Sequence, residues 1–488
     1  MGLIELEKAS FMYEGAEAAA LQGVSLRVRP GECVVLTGAS GCGKTTVTRL
    51  VNGLIPHFYA GEVSGRVLVA GKPVADAQPH ELSPLVGSVF QNPRTQFFNT
   101  DTTSELVFGM ENAGLPHNEM HARYGDTVRD LQLEALTGRD IFALSGGEKQ
   151  RIAFGGVYAM SPLAYALDEP TANLDAQAVA HLRDALLHVK SQGRAILLAE
   201  HQLAYLRGVA DRIVLMKDGR IAGEWPAEDF AALSDNALAD LGLRSFRESP
   251  IPALGDYRAP TTTAIEIRGL CARYGDREVL SGFEFGAGKS EIVGITGANG
   301  KGKTTLARTI CGLHRESGGQ ILFSGKALPP KKRSRHAYLV MQDPNYQLFS
   351  DSVGGELRLN AMGKPPPEKL EHVLQRLELE AYRERHPLSL SGGQKQRLAI
   401  ALAALSPADI LLFDEPTSGL DYGNMRRVTQ MLEWLAERGK TILVISHDRE
   451  LLTMGCHRVV GLEQCQAANQ KNEEVHYANQ RAKKGQKA

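Results

Sequence analysis

The chain has 488 residues, 43% hydrophobic and 23% charged, and its 55 Lys plus Arg nearly balance its 56 Asp plus Glu, for a net charge of -1. That much apolar material excludes disorder as a global description, and the balanced charge gives no overall electrostatic reason to bind nucleic acid or anionic lipid. Glycine is the one excess, at 50 residues, about 10% where about 7% is usual.

From the N-terminus, Tyr13 stands in SFMYEG, and the apolar run CVVLTG leads into GASGCGKTT, which begins at Gly38. A helical pattern, TVTRLVNGL, follows it. Gln91 opens QNPRTQFF, with DTTSELVFGMEN close behind, and LSGGEKQR begins at Leu144. The apolar run YALDEP carries Asp168 and Glu169, Asp175 closes LDEPTANLD, and AILLAE runs up to His201 before IVLM. The order then repeats. EIVGITG precedes GANGKGKTT at Gly297, Gln342 opens QDPNYQLFS, LSGGQKQR begins at Leu390, ILLFDEP carries Asp414 and Glu415, and TILVISH ends at His447 before VVGL. Ser145 to Glu169 and Ser391 to Glu415 are both 24 residues, and Glu169 to His201 and Glu415 to His447 are both 32. Lys44 to Gln91 is 47 residues against 39 from Lys303 to Gln342, which places insertions in surface loops of that stretch. A period this long is a duplicated domain. Apolar strands without polar alternation, separated by helical patterns, predict an α/β fold with a parallel sheet buried on both faces. The Pro-containing stretch 245–263 reads as a semi-stiff linker and 466–488 as a polar, disordered tail.

Six scattered cysteines without a CxxC pair speak against a disulfide framework or structural zinc and for a reducing cytoplasm. MGLIELEKAS shows no signal-peptide pattern. The longest apolar run, Leu398 to Phe413, is interrupted by Ser406, Pro407 and Asp409 and falls short of the about 20 residues a spanning helix takes. The basic segment Lys331 to Arg335 reads as solvated surface charge.

Gly38, Ala39, Ser40, Gly41, Cys42, Gly43, Lys44, Thr45 and Thr46 fit GxxxxGK[ST] between a strand and a helix, as do Gly297, Ala298, Asn299, Gly300, Lys301, Gly302, Lys303, Thr304 and Thr305. Glycines let backbone N–H groups face phosphate oxygens, and the helix N-terminus adds positive character. Lys44 and Lys303 supply a charge to the β- and γ-phosphates, and Thr45 and Thr304 a hydroxyl to Mg2+. Asp168-Glu169 and Asp414-Glu415 end strands where chemistry in a parallel sheet is done. The aspartates suit Mg2+, and the glutamates, pointing the other way along the strand, suit the base that polarises water. His201 and His447 suit a hydrogen bond to the γ-phosphate or that water. Ser145 and Ser391 are N-caps, and the helix starts behind them, with Gly146, Gly147, Gly392 and Gly393, form a second anion site.

A phosphate loop combined with this serine-glycine signature resembles the ABC ATPases over both halves, residues 3–244 and 264–465. The resemblance implies two tandem P-loop NTPase domains, each with a mainly parallel core sheet, an antiparallel β subdomain and a helical subdomain. It implies a head-to-tail dimer within one chain, with two composite ATP sites. Lys44 and Glu169 would share one ATP with Ser391, Gly392 and Gly393; Lys303 and Glu415 would share the other with Ser145, Gly146 and Gly147. Asp175 and Asp421 would lie in loops at the seam, Tyr13 and Tyr274 would stack on adenine, and Gln91 and Gln342 would reach Mg2+ and the attacking water.

The QxPxxQ(F/L)F form of the glutamine loop is similar to that of the ATPases of energy-coupling factor importers of vitamins, vitamin precursors or transition-metal ions. That resemblance implies an integral-membrane coupling subunit, a small membrane substrate-binding subunit, no nucleic acid partner, and a place on the cytoplasmic face of the membrane. In the second half, Gly354, Gly355 and Leu359-Asn360 depart from the pattern. The rivals are the tandem ATPases of sugar importers, whose second phosphate loop and signature are typically altered; those of peptide importers, whose glutamine loop reads differently; and soluble ribosome-associated ABC proteins, which have a longer charged linker and lack the histidine.

Overall fold

The computed structural model describes residues 2–172, 174–250, 253–255, 263–360 and 366–466. They fall into two compact units, Met1–Glu248 with Gly419–Gly423, and Ser249–Ser418 with Asn424–Ala488. The stretch read as a linker is described only in part, and the tail beyond Gln466 lies outside the described residues.

In the first unit the core sheet has the strand order Arg220–Pro226, Arg212–Lys217, Cys33–Thr37, Ala195–Ala199, Ala164–Asp168, Val86–Val89. All neighbours run parallel except the outer Arg220–Pro226 hairpin. Cys33–Thr37 and Ala195–Ala199 are buried at every residue, as a strand covered on both faces must be. Alternate side chains enter different cores. Val34, Leu36, Ala166, Leu197 and Val214 pack toward a four-stranded antiparallel sheet ordered Leu21–Val28, Ile4–Tyr13, Gly61–Val69, Lys72–Pro73. Cys33, Val35, Leu167, Leu198 and Ile213 pack with Leu182 and Leu186 of the helix Ala176–Ser191 and with Phe154 of the helix Gly146–Ala159. The helices Thr102–Asn112 and His117–Asp130 complete a helical layer around Leu106, Leu133, Leu136, Leu144 and Ile152. Phe246 is buried edge-on against Phe230, with ring centroids 5.3 Å apart.

The second unit repeats the plan. Its core sheet, ordered Ala337–Val340, Ile410–Asp414, Thr441–Ile445, Ile292–Thr296, Arg458–Gly461, is parallel throughout. Its antiparallel sheet is ordered Arg277–Gly288, Thr263–Tyr274, Gly318–Phe323, Lys326–Ala327. From the linker stretch, Leu254 pairs with Val459, and Gly255 N–H donates to the Val459 carbonyl at 2.8 Å, so part of the linker covers the sheet's outer strand. The longer spacing of the first half is not absorbed by loops alone. It holds the short helix Leu54–His57, and its strand Gly61–Val69 has 9 residues where Gly318–Phe323 has 6.

The basic segment Lys331 to Arg335 is not uniformly solvated. Arg333 is only 2% exposed. Its Nη2 and Nη1 donate to Glu316 at 2.6 and 2.9 Å, its Nε to the Leu328 carbonyl at 2.8 Å, and Nη1 also to the Thr309 carbonyl at 3.1 Å. Burial pushes the Glu316 carboxyl up, but Arg333 outweighs it and holds the group below its ordinary value. Removing Glu316 leaves a buried guanidinium without its counter-ion, so Glu316→Gln is expected to cost the second unit about 3 kcal/mol in denaturant unfolding at neutral pH. Because the folded carboxyl is depressed, that gap persists above the ordinary carboxylate range and closes as pH falls below about 4.

Candidate functional site

Both phosphate loops leave the carboxyl end of a central strand and enter a helix, Lys44–Val51 in the first unit and Lys303–Ile310 in the second. Gly43 and Gly302 cap those helices in the left-handed region, at φ 106° and 103°. A Cβ on Gly43 would meet the Ala20 carbonyl at 2.8 Å, and one on Gly302 would meet Val279 Cγ1 at 2.9 Å. Only glycine makes that turn against a strand passing so close. The result aims the first helical N–H groups and the positive end of the helix into the loop.

Lys44 is buried, and its Nζ donates to the Gly38 and Ala39 carbonyls, both at 3.0 Å. Lys303 does the same to Gly297 and Ala298 at 2.7 and 3.1 Å. Ala39, Ser40 and Gly41 are exposed, as are Ala298, Gly300, Lys301 and Thr304, while Thr46 and Thr305 are buried. Cys42 is buried within the first loop, where burial pushes its thiol up against the opposing pull of Lys44.

Thr45 Oγ1 donates to Asp168 Oδ1 at 3.0 Å, and Thr304 Oγ1 to Asp414 Oδ2 at 2.9 Å. Burial, followed by the adjacent Glu169, pushes the Asp168 carboxyl up to about 6, and burial also raises Asp414. The following glutamates do not continue the strand, so strand alternation is not what separates the two acids. Glu169 and Glu415 adopt the left-handed region, at φ 45° and 49°, with their N–H groups held by the Ala199 and Ile445 carbonyls at 2.8 Å each. The same uncommon backbone at both positions is strain that the fold over-determines.

The glutamates have different surroundings. Gln91 Nε2 donates to Glu169 Oε2 at 2.7 Å, and His201 Nε2 lies 3.1 Å from Oε1. Burial acts to raise Glu169, but His201 and then Lys44 bring it below its ordinary value. In the second unit His447 Nε2 turns to Lys303 Nζ at 2.8 Å and Asn299 Oδ1 at 3.0 Å, and stands 3.7 Å from Glu415 Oε1. Glu415 Oε2 accepts from Ser446 Oγ at 3.1 Å and the His447 N–H at 3.3 Å. With the ring turned away, burial pushes Glu415 up.

An unanticipated acid supports each histidine turn. Glu200 is 2% exposed and accepts from Thr171 Oγ1 at 2.6 Å, the His201 N–H at 2.7 Å and Tyr205 OH at 3.1 Å. In the second half Ser446 takes its place, and the acid moves to Asp448, which accepts from Thr417 Oγ1 at 2.7 Å. The sequence signal was the change from AEH to ISHD, an acid moved from one side of the histidine to the other.

Ser145 and Ser391 each form a capping box. Ser145 Oγ accepts from the Glu148 N–H at 3.3 Å while Glu148 takes the Ser145 N–H at 2.7 Å; Ser391 and Gln394 do the same at 3.4 and 2.8 Å. The N–H groups of Gly146, Gly147, Gly392 and Gly393 occupy the first helical positions, which have no intrahelical acceptor. Asp175 caps the helix Ala176–Ser191 through the Ala178 N–H at 2.9 Å, and Asp421 lies in the segment Gly419–Gly423 that groups with the first unit. Tyr13 is half-buried, its hydroxyl 3.2 Å from Thr46 Oγ1 and accepting from Arg49 Nη1 at 3.0 Å. Tyr274 is exposed and tilted on the His314 ring at 4.5 Å.

The second glutamine of each QxPxxQ motif acts as a surrogate strand. Gln96 accepts from the Phe90 N–H at 3.4 Å and donates to the Ser88 carbonyl at 3.1 Å; Gln347 accepts from the Met341 N–H at 2.8 Å and donates to the Leu339 carbonyl at 2.6 Å. Each stitches its loop to the neighbouring core strand.

The donor set fits Mg2+. A threonine hydroxyl and a carboxylate whose pKa is raised meet at 3.0 Å in the first unit and 2.9 Å in the second, both of them hard oxygens. Two phosphate loops of this geometry, each facing a threonine–aspartate pair and a following acid, define a P-loop nucleoside triphosphatase carried twice.

Comparison with known proteins agrees. The family model described as "ABC transporter" matches residues 21–172 and 280–418. A Treponema denticola protein named "Putative ABC transporter ATP-binding protein" is 45% identical over 464 residues, covering 94% of this chain and 95% of its own length. A Bacillus subtilis protein named "Putative HMP/thiamine import ATP-binding protein YkoD" is 32% identical over 485 residues, covering 92% and 88%. The solved structure titled "RNase-L Inhibitor" shares the fold, with a TM-score of 0.63 and 22% identity over 93% of this chain and 88% of that one. The chain belongs to the ABC transporter family and is an ATPase with two ABC domains that uses ATP and Mg2+. Chelating Mg2+ is expected to reduce phosphate release by at least about a hundredfold, measured in a steady-state phosphate assay.

Proposed function

We propose that this chain is the energy-coupling subunit of an importer of the energy-coupling factor type. Its domains then span close to 3–244 and 264–465, and its two ATP sites are composite, Lys44 and Glu169 working with Ser391, Gly392 and Gly393, and Lys303 and Glu415 with Ser145, Gly146 and Gly147. The observation that carries the reading is the glutamine loop. In both units it is stitched to the core strand by its second glutamine and carries, two residues further on, a strongly exposed aromatic, Phe98 at 75% and Phe349 at 76%. In the first unit the opening glutamine reaches the acid that ends the strand. A loop that touches the acid at one end and offers an apolar side chain at the other suits coupling of hydrolysis to a membrane protein. The substrate class in this reading is a vitamin, a vitamin precursor or a transition-metal ion, and the 32% identity to a protein named for HMP/thiamine import favours the first two. No helix among the described residues is long and apolar enough to cross a membrane. In this reading the partners are an integral-membrane coupling subunit and a small membrane substrate-binding subunit, with this chain at the cytoplasmic face.

In this reading backbone N–H groups of the loops and signatures bind the phosphates, with Lys44 or Lys303 facing the γ-phosphate. Tyr13 and Tyr274 contact adenine. Thr45, Gln91 and Asp168, or Thr304, Gln342 and Asp414, hold Mg2+, which when bound neutralises charge developing on the phosphate oxygens. Glu169 or Glu415 orients the attacking water and accepts its proton. Glu415 Oε1, buried without a hydrogen-bond partner, is an acceptor suited to such a water. His201 and His447 orient that acid and the γ-phosphate.

Glu169→Gln and Glu415→Gln are each expected to cut turnover by at least about half, and the double substitution by about a hundredfold or more, read as phosphate release. Full activity in either single variant would sink the symmetric assignment. In mild detergent extracts the chain is expected to co-purify with a multispanning membrane protein. A membrane-free, ribosome-bound pool would overturn the importer reading.

A further inference from the structure

The backbones of Glu169 and Glu415 are held alike, each N–H on the carbonyl of the strand residue two before the histidine, Ala199 or Ile445. What differs between the two acids is therefore set by the side chains around them. The residue immediately before the histidine is Glu200 in the first unit and Ser446 in the second, and both are buried. Glu200 is long enough to curl back over its own turn. Its Oε1 accepts from the N–H groups of His201 at 2.7 Å and Gln202 at 3.0 Å, and its Oε2 from Thr171 Oγ1 and Tyr205 OH. Both oxygens act as acceptors, so Glu200 and the His201 N–H are spent on each other and not on Glu169. The first acid is held instead by side-chain groups, Gln91 Nε2 at 2.7 Å and His201 Nε2 at 3.1 Å.

A serine is shorter and carries a hydroxyl proton. Ser446 Oγ accepts from the Asp448 N–H at 3.0 Å, the amide that corresponds to Gln202. The His447 N–H, which in the first unit goes to Glu200, here goes to Glu415 Oε2 at 3.3 Å, and Ser446 Oγ donates to that same oxygen at 3.1 Å. One change of residue, from Glu to Ser, thus turns two donors of the histidine turn onto the acid that ends the strand. The His447 ring is drawn the other way, to Lys303 Nζ at 2.8 Å and Asn299 Oδ1 at 3.0 Å. Glu415 Oε1 is left as a buried acceptor without a hydrogen-bond partner among the described residues.

We propose that Ser446 is a positioning residue for Glu415: with the His447 N–H it fixes one carboxylate oxygen and so aims the other at the attacking water, the task that Gln91 and His201 perform in the first site. This rests on the reading of Glu169 and Glu415 as the two bases. Two donors on one oxygen restrict rotation of the carboxylate, and a base held close to its productive geometry keeps rate that a loosely held one loses. The hydroxyl is not replaceable by water at no cost, because Ser446 is 0% exposed and its removal leaves a buried carboxylate oxygen short of a donor. The two ATP sites therefore depend on different side chains for the same step, and the residue before each histidine decides which.

The test reads one site at a time in the full chain, by steady-state phosphate release. Glu169→Gln leaves turnover to the second site, and Glu415→Gln leaves it to the first. In the Glu169→Gln chain, Ser446→Ala is expected to lower kcat about tenfold with the KM for ATP unchanged. In the Glu415→Gln chain the same substitution is expected to lower kcat by less than about twofold. Ser446→Thr keeps the hydroxyl and is expected to recover at least about half of the lost kcat. The melting temperature of each chain is measured alongside. An unchanged kcat on Ser446→Ala in the Glu169→Gln chain, an equal loss in both chains, an equal loss with Ala and Thr, or a loss that only follows a lowered melting temperature would each overturn this inference and leave the two bases standing. A Glu169→Gln chain with no turnover would overturn the assignment of Glu415 as a working base, and this inference with it.

Discussion

The constraint on which the rest depends is burial of the parallel sheet on both faces. Val34 and Leu36 enter one core and Cys33 and Val35 the other, so no interior position of that strand can carry a polar group without an unpaired hydrogen bond. Polar chemistry is pushed to the carboxyl ends. There the phosphate loop leaves Cys33–Thr37, Asp168 closes Ala164–Asp168, and His201 follows Ala195–Ala199. Three neighbouring strands therefore deliver a lysine, two carboxylates and an imidazole to one edge, next to the exposed N–H groups of a helix start. The second unit reaches the same arrangement from Ile292–Thr296, Ile410–Asp414 and Thr441–Ile445.

Concentrating these groups in a poorly hydrated place requires them to compensate one another. Lys44 and Lys303 are satisfied by loop carbonyls, and Asp168 and Asp414 by threonine hydroxyls. The duplicated domain acts as an internal comparison of what is obligatory. The left-handed glycine before each lysine and the left-handed glutamate after each aspartate appear twice. An acid behind the histidine turn appears twice too, but from different positions, the buried Glu200 and the half-buried Asp448, each paired with a threonine. The histidine setting differs between the halves. His201 sits on Glu169, His447 on Lys303 and Asn299, and the two glutamates are shifted in opposite directions.

The glutamine loop shows the same economy in side chains that imitate backbone. Gln96 and Gln347 each make the two hydrogen bonds a strand residue would make, and Glu105 and Glu356 collect the N–H groups that the loop leaves open. A loop whose only regular structure is one short 3-10 turn, Pro93–Thr95 or Pro344–Gln347, is thereby tied to the core strand and to the helix that follows it.

The sequence by itself determined the duplication, the α/β class, four core strands in each half, both phosphate loops and the capped signature helices, because these rest on local chemistry: apolar runs, glycine spacing, and a serine N-cap; the core strands Val86–Val89, Arg220–Pro226 and Ala337–Val340 were not legible there. Tertiary structure decided what depends on residues distant in the chain. Strand alternation suggested how Asp168 and Glu169 separate, but it is the left-handed turn, held by the Ala199 carbonyl, that aims the glutamate. The basic run Lys331 to Arg335 looked solvated because charge is visible in sequence and burial is not; Arg333 lies in the core only because Glu316 meets it there. The roles of Glu200, Glu105 and Glu356 stayed hidden for the same reason. An acid in a sequence is most simply a surface group, and only the folded chain brings to each one the donors that make its burial affordable.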